Sequence, residues 1–239
     1  MAYNNGQTVT LNGPDGHEIR VRLEVNSKAR RLILRLDERK REAVAIAPSR
    51  RQIKDAAAFA AERIDWISTR LQHLPDVVSF EEGSVISFRG MPCRLTSQGE
   101  GRVARMVLGQ PNTLCAPGDP ETLHLRTTRY LKKQARADIT RAVKRHSARL
   151  GVTYKDISVK DTRSRWGSCT ADGKLSFSWR LVMAPPAVLD YVAAHECAHL
   201  LEMNHSPRFW AHVATCCSDW KHHRTWLREH GASLQAAGT

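Results

Sequence analysis

The chain has 239 residues, 41% of them hydrophobic and 26% charged; that balance excludes a disordered or fibrous chain and allows one large domain or two small ones with a buried core. Thirty-seven Lys and Arg against 24 Asp and Glu give a formal charge of +13, which raises affinity for polyanions and leaves nucleic acid open as a partner. Met1 to Thr10 are polar and lack the apolar core of a signal peptide, and no apolar run has the length of a membrane span, so the expected setting is the cytoplasm, with no membrane contact.

Ile19 to Val25 and Leu32 to Leu36 alternate apolar and polar residues, and Ala43 to Ala47 is continuously apolar; together they predict a small antiparallel sheet. Many basic residues between Arg20 and Arg51 alternate with apolar ones, as in Ile19-Arg20-Val21-Arg22-Leu23, and so read as the solvent face of a strand. Pro48 ends the sheet, and Ser49 with Gln52 three residues later predicts a capping box. Ile53, Ala57, Ala60, Ile64, Ile67 and Leu71 then recur at helical spacing, predicting one helix with one apolar stripe. After Pro75, Val85 to Phe88, Cys93 to Leu95 and Val103 to Leu108 read as short strands, and Gln110 to Pro120, interrupted by proline and glycine, as a linker. The expected organisation is α+β, with a β-rich unit carrying one helix over 1–115 and a second domain over 116–239.

In that second domain a long helix is predicted from about Glu121 to Leu150, because Leu131, Ala135, Ile139, Val143, His146 and Leu150 keep helical spacing and Gly151 can supply a left-handed stop. His146 on that stripe reads as a packed residue rather than a ligand. Ile157 to Lys160 predicts a strand. Arg163 to Thr170 and Leu175 to Val182, joined at Asp172-Gly173, predict a hairpin. Pro185-Pro186 can open the next helix. The six cysteines have no CxxC spacing and read as reduced, small buried hydrophobes.

The chemistry concentrates in His195-Glu196-Cys197-Ala198-His199, an HExxH motif among helix-forming apolar residues. On a helix, residues four apart lie about 40° apart on one face and one turn apart in height, so the two imidazoles can grip one ion. Leu189, Ala193, Cys197 and Leu200 fall on the opposite side, for burial. A catalytic zinc takes three protein ligands and keeps a position for water. His205 can supply the third, if Asn204 in the left-handed conformation stops the helix and turns the chain back. Glu202 is the rival, but it is tied to the same helix axis as the other two. Ser206-Pro207 caps and begins a further helix carrying Phe209, Trp210 and Val213. His212, His222, His223 and His230 have no such geometry. Glu196 beside both ligands can act as general base toward a water whose pKa zinc lowers to about 7. Upstream, Arg163 and Arg165 beside Trp166 and Gly167 could bind a carboxylate, an anionic intermediate or a phosphate; Arg165 is the expected contact to developing negative charge.

Arg163-Ser164-Arg165-Trp166-Gly167-Ser168-Cys169, Trp179-Arg180-Leu181, Met183-Ala184-Pro185-Pro186, Asp190-Tyr191-Val192, His195-Glu196-Cys197-Ala198-His199-Leu200 and Asn204-His205-Ser206-Pro207-Arg208-Phe209-Trp210, taken in order, closely resemble the YgjP-like metallopeptidase family. The resemblance is dense from about Arg163 to Trp210 and extends more loosely to the N-terminal β-rich half. It implies a zincin-like core, with the HExxH helix behind an antiparallel hairpin whose edge can hold an extended peptide, and it implies His205 as third zinc ligand. The related SprT-like proteases act on DNA-bound proteins, which by analogy gives the basic charge a meaning. Glu202 stands where metzincins carry glycine and no Met-turn follows, which disfavours that clan.

The expected function is zinc-dependent hydrolysis of a peptide or protein substrate, with His195, His199 and His205 on Zn2+ and Glu196 and Arg165 as catalytic residues. Two alternatives stay open. Arg163 and Arg165 could clamp a nucleotide whose phosphoanhydride is hydrolysed beside the same metal, although no P-loop is present. The chain could also be a non-enzymatic, nucleic-acid-associated protein with zinc as a fold staple.

Overall fold

Strict alternation in Glu18–Val25 leaves Ile19, Val21 and Leu23 buried and Glu18, Arg20 and Arg22 on the other face. The computed structural model describes residues 3–37, 40–74, 77–109, 112–162 and 165–238. They fall into two compact units, Met1–Asp76 and Val77–Thr239.

The first unit holds β1 (Thr8–Asn12), β2 (Glu18–Val25), β3 (Ile33–Asp37) and β4 (Glu42–Ala47) in the order β1-β2-β4-β3. Its sheet is mixed, not antiparallel as expected: β2 pairs with β4 in parallel, while β1 with β2 and β3 with β4 are antiparallel. The continuously apolar β4 is buried along its whole length, which suits a central strand paired on both edges. β1 has no counterpart in the sequence reading, because its single alternating run is short. The expected single helix is two, α1 (Ile53–Ala61) and α2 (Ile64–Gln72), preceded by a 3-10 turn at Arg50–Gln52. The capping box does not form. Ser49 Oγ donates to Gln52 Oε1 at 3.0 Å instead of accepting a backbone N–H. Ile53, Ala56, Ala57 and Ala60 face the sheet and share its core with Ile19, Val21 and Leu23.

The second unit starts earlier than the expected boundary. β5 (Val85–Phe88), β6 (Met91–Thr96), β7 (Arg105–Val107) and β8 (Thr113–Cys115) form a sheet in the order β5-β6-β8-β7, and their side chains join the core of this unit. β8 lies within the stretch read as a linker; Leu114 and Cys115 are buried, and prolines and glycines flank the strand rather than dissolve it.

α3 (Leu123–Leu150) follows its stripe, burying Leu131, Ala135, Ile139, Val143 and His146, and stops at Gly151 with φ 66°. A second sheet orders β10 (Gly167–Cys169), β11 (Lys174–Ser178) and β9 (Asp156–Lys160) as β10-β11-β9. β10 and β11 form the antiparallel hairpin, shorter than expected, and β9 runs parallel to β11. The strand predicted to reach Val182 gives way at Trp179–Met183 to a 3-10 turn whose side chains are all buried, since a strand presents only alternate residues to one face. α4 (Pro186–Ala198), α5 (Pro207–Cys216) and α6 (Trp220–Ala236) complete the unit. No described helix is long and apolar enough to cross a membrane.

Candidate metal centre

α4 opens with Pro186 in its first turn, as the missing amide N–H there allows. Val188, Leu189, Ala193 and Cys197 enter the core, while Tyr191, Val192, His195 and Glu196 line a cavity. Regular helix ends at Ala198, but His199 keeps helical angles, φ −64° and ψ −18°, so the one-turn spacing of the imidazoles survives. The chain then tightens through Leu200 N–H to the Cys197 carbonyl at 3.1 Å and Leu201 N–H to the Ala198 carbonyl at 3.0 Å. The turn is therefore not made by a left-handed Asn204. Among the described non-glycine residues only Arg41 and Arg89 have positive φ. Ser206 caps α5 as expected, accepting from Phe209 N–H at 3.3 Å.

His195, His199 and His205 meet. Their ring centroids lie 4.9 Å (195–199), 5.1 Å (195–205) and 4.9 Å (199–205) apart, and one possible ligand atom from each falls within 4.8 Å of the others. The buried Phe209 backs all three, with its ring 4.8, 4.4 and 4.7 Å from those of His195, His199 and His205. His199 Nδ1 lies 3.1 Å from the Glu202 carbonyl, which orients that ring and directs Nε2 to the centre. Glu202 thus contributes its backbone, and its carboxylate does not join the cluster.

The donor set suits a divalent metal. Burial, then the neighbouring His199, His205 and Arg224, push the His195 pKa down to about 3, and burial lowers His199 as well. Both are neutral at neutral pH, with lone pairs available. His195 Nε2 and His205 Nε2 stand 3.2 Å apart, close to the roughly 3.3 Å between two nitrogens each about 2.0 Å from a tetrahedral ion. Among the described residues no fourth His, Cys, Asp or Glu joins the three, which leaves room for a non-protein ligand.

Glu196 is 5% exposed, and its Oε2 is buried without a hydrogen-bond partner. Burial pushes its carboxyl pKa up to about 8, with the positive charge of Arg165 acting against the rise. Its side chain lies on the backbone of β10. A Cβ at Gly167 would stand 2.6 Å from Glu196 Cγ and 2.7 Å from Cδ, and nearer still to Oε1. Glycine at 167 is therefore what admits the carboxyl.

A family model described as the YgjP-like metallopeptidase domain matches residues 30–230. The chain belongs to this family. The YgjP-like chain is accordingly a metal-dependent peptidase, a hydrolase, and its family implies a divalent metal. Curated proteins gave no significant match. Among solved structures, the metallopeptidase zymogen of Pyrococcus abyssi abylysin is similar over 38% of this chain and 93% of its own, at 15% identity and a TM-score of 0.35.

On the His195 side of the histidine cluster of the YgjP-like chain, a cavity of about 290 Å³ is lined by His195, Arg165, Trp166, Tyr191, Glu196 and Arg224, among others. The Arg165 segment is braced from both sides. Thr162 Oγ1 donates to the Arg165 carbonyl at 2.6 Å, and Ser178 N–H to the Trp166 carbonyl at 2.9 Å. Next to it, the buried Arg180 holds Asp161 and donates to the Ala237 carbonyl at 3.1 Å. Arg163 lies outside the described residues. His146 is buried and paired with Asp190 at 2.8 Å, and His212, His222, His223 and His230 do not join the metal cluster. All six cysteines are free; burial raises Cys197 to about 12, which leaves it an inert thiol. Sequence reasoning missed the parts played by Gly167, Phe209 and Arg224. Gly167 at least stood in a motif already singled out, whereas nothing in the local pattern marks Arg224.

Proposed function

We propose that His195, His199 and His205 hold a zinc ion and that Glu196 is the general base of peptide-bond hydrolysis. The observation that carries this reading is the meeting of three imidazoles beside a buried carboxyl with an unpartnered oxygen. Zinc, when bound, would polarise the scissile carbonyl and acidify the attacking water.

Glu196 Oε2 takes a proton from that water as its oxygen bonds to the carbonyl carbon, and the same carboxyl returns the proton to the amide nitrogen as the C–N bond breaks. The buried oxygen has no hydrogen-bond partner to hold it in one protonation state, which suits a group that must gain and then lose the proton. Arg165, at the rim of the same cavity, stabilises the oxyanion that develops on the carbonyl oxygen. Gly167 keeps the carboxyl in place, and Phe209 keeps the imidazoles together. The free thiols fit a reducing, cytoplasmic setting.

Glu196→Gln tests the assignment. The variant should retain about one zinc per chain by elemental analysis while kcat toward a peptide substrate falls by about 10²–10⁴. Undiminished turnover with zinc retained would remove Glu196 from the chemistry.

A further inference from the structure

The cavity beside Glu196 is unevenly charged. It is lined by two guanidinium groups, Arg165 and Arg224, and one carboxyl, Glu196 itself. Among the described residues neither arginine has a carboxylate partner, whereas Arg89, Arg145 and Arg180 of the same unit pair with Asp138, Asp190 and Asp161. Two cations beside a single carboxyl in one cavity mark a place where a further anion is received.

The position of Arg224 is built. Its guanidinium lies 5.1 Å over the Trp210 ring, which stacks on Trp220 at 4.1 Å and 16°. Across the cavity, Trp166 packs on α6 at Gly231, where a Cβ would stand 3.2 Å from Trp166 Cζ2. That contact brings the loop carrying Arg165 against the helix carrying Arg224. Apart from His195, the rest of the lining, which includes Trp166, Tyr191, Val192 and Leu227, is apolar or aromatic, and a low-dielectric wall strengthens a charge-assisted hydrogen bond. A neighbouring cavity of about 580 Å³ shares Arg224 and adds Lys221 and Arg228, with no acidic residue in its lining. Positive charge thus continues outward along α6.

We propose that Arg224, across the cavity from the oxyanion-facing Arg165, makes a carboxylate-recognising pocket next to the reacting centre, so that the enzyme selects peptides with a negative charge beside the cut bond. The assignment rests on the peptidase reading above and adds its substrate class. The carboxylate has two possible sources, an Asp or Glu side chain or a free chain terminus. A peptide is favoured over a polyphosphate backbone because the Glu196 carboxyl and the apolar Trp166, Val192 and Leu227 line the same cavity, which suits a single carboxylate on a peptide better than a run of phosphates.

Binding is measured first on the metal-free protein, by calorimetry and by the change in intrinsic tryptophan fluorescence, so that the result does not depend on turnover. Three matched peptides separate the sources: one with internal Glu and an amidated end, the same with Gln, and the Gln peptide with a free C-terminus. One of the two carboxylate peptides should bind about tenfold more tightly than the amidated Gln peptide. Arg224→Gln should reduce that ratio toward one, and Arg224→Lys should restore it in part. On the zinc-loaded protein, the same preference should appear in kcat/KM and decline with Arg224→Gln. Equal binding of all three peptides would overturn the assignment, as would Arg224-dependent binding of a nucleoside triphosphate or single-stranded RNA tighter than that of either carboxylate peptide. Failure of the loaded wild type to cleave any peptide would defeat the peptidase reading alone, with the binding ratio still deciding the pocket.

Discussion

Glu42 in the N-terminal sheet and Glu196 in the cleft are about equally hidden, 1% and 5% exposed, yet their surroundings are opposite. Glu42 accepts from Arg22 Nε at 2.8 Å and lies 3.9 Å from Arg20, and Arg22 in turn reaches Glu24 and Asp37. Glu196 has a buried oxygen with no partner, and a glycine where its side chain crosses the neighbouring strand. A buried polar group without a partner costs about 1–3 kcal/mol, and that cost persists where chemistry requires a carboxyl that can gain and lose a proton. The same contrast holds among the arginines: Arg22 is saturated with carboxylates, while Arg165 and Arg224 wait at a cavity. Around Glu42 charge is neutralised internally; around Glu196, on the proposal above, it faces a substrate.

Replacing both glutamates by glutamine tests the comparison most severely. Glu42→Gln should lower the unfolding free energy by about 3 kcal/mol in urea titration, because it strips the main partner from a half-buried guanidinium, with kcat per folded molecule unchanged. Glu196→Gln should leave the metal-free protein at least as stable at neutral pH, since no pairing is lost and the charge that burial disfavours is removed. Equal losses at the two positions would break the contrast. Gly167→Ala should sharpen it: displacing the Glu196 carboxyl by a fraction of an ångström should reduce kcat by about 10²-fold, with zinc content retained and circular dichroism unchanged.

The smallest effect concerns an intermediate case. Asp190 is partly buried, which alone would raise its pKa, but its hydrogen bond to His146 and the charges of His146 and Arg145 hold it below the ordinary value. A depressed carboxylate stabilises the fold above its unfolded pKa, about 3.9, and that contribution is lost as the pH falls through the folded value. Asp190→Asn should therefore flatten the acid limb of stability against pH, with the two proteins converging at the lowest pH. A parallel offset at every pH would show that the pair does not titrate as stated.

Much of the second unit was legible in sequence. The α3 stripe, the Gly151 stop, the Ser206 cap and the shared face of His195 and His199 all depend on residues within one or two turns of each other, where covalent geometry fixes their relation. The first unit was less so. Two alternating runs and one continuously apolar run located three of its four strands but not their partners, since a strand's face pattern is the same whether its neighbour runs parallel or antiparallel; in the second unit β8 was hidden because turn residues on both sides of a three-residue strand outweigh it locally. His205 was anticipated near the metal cluster, but by a left-handed Asn204 that the chain does not use. What only the tertiary structure decided is what surrounds the imidazoles and the carboxyl: Gly167 under Glu196, Phe209 behind three rings, and Arg224 at the cavity. Those neighbours come from other elements, across separations for which no periodicity exists, and only packing brings them together.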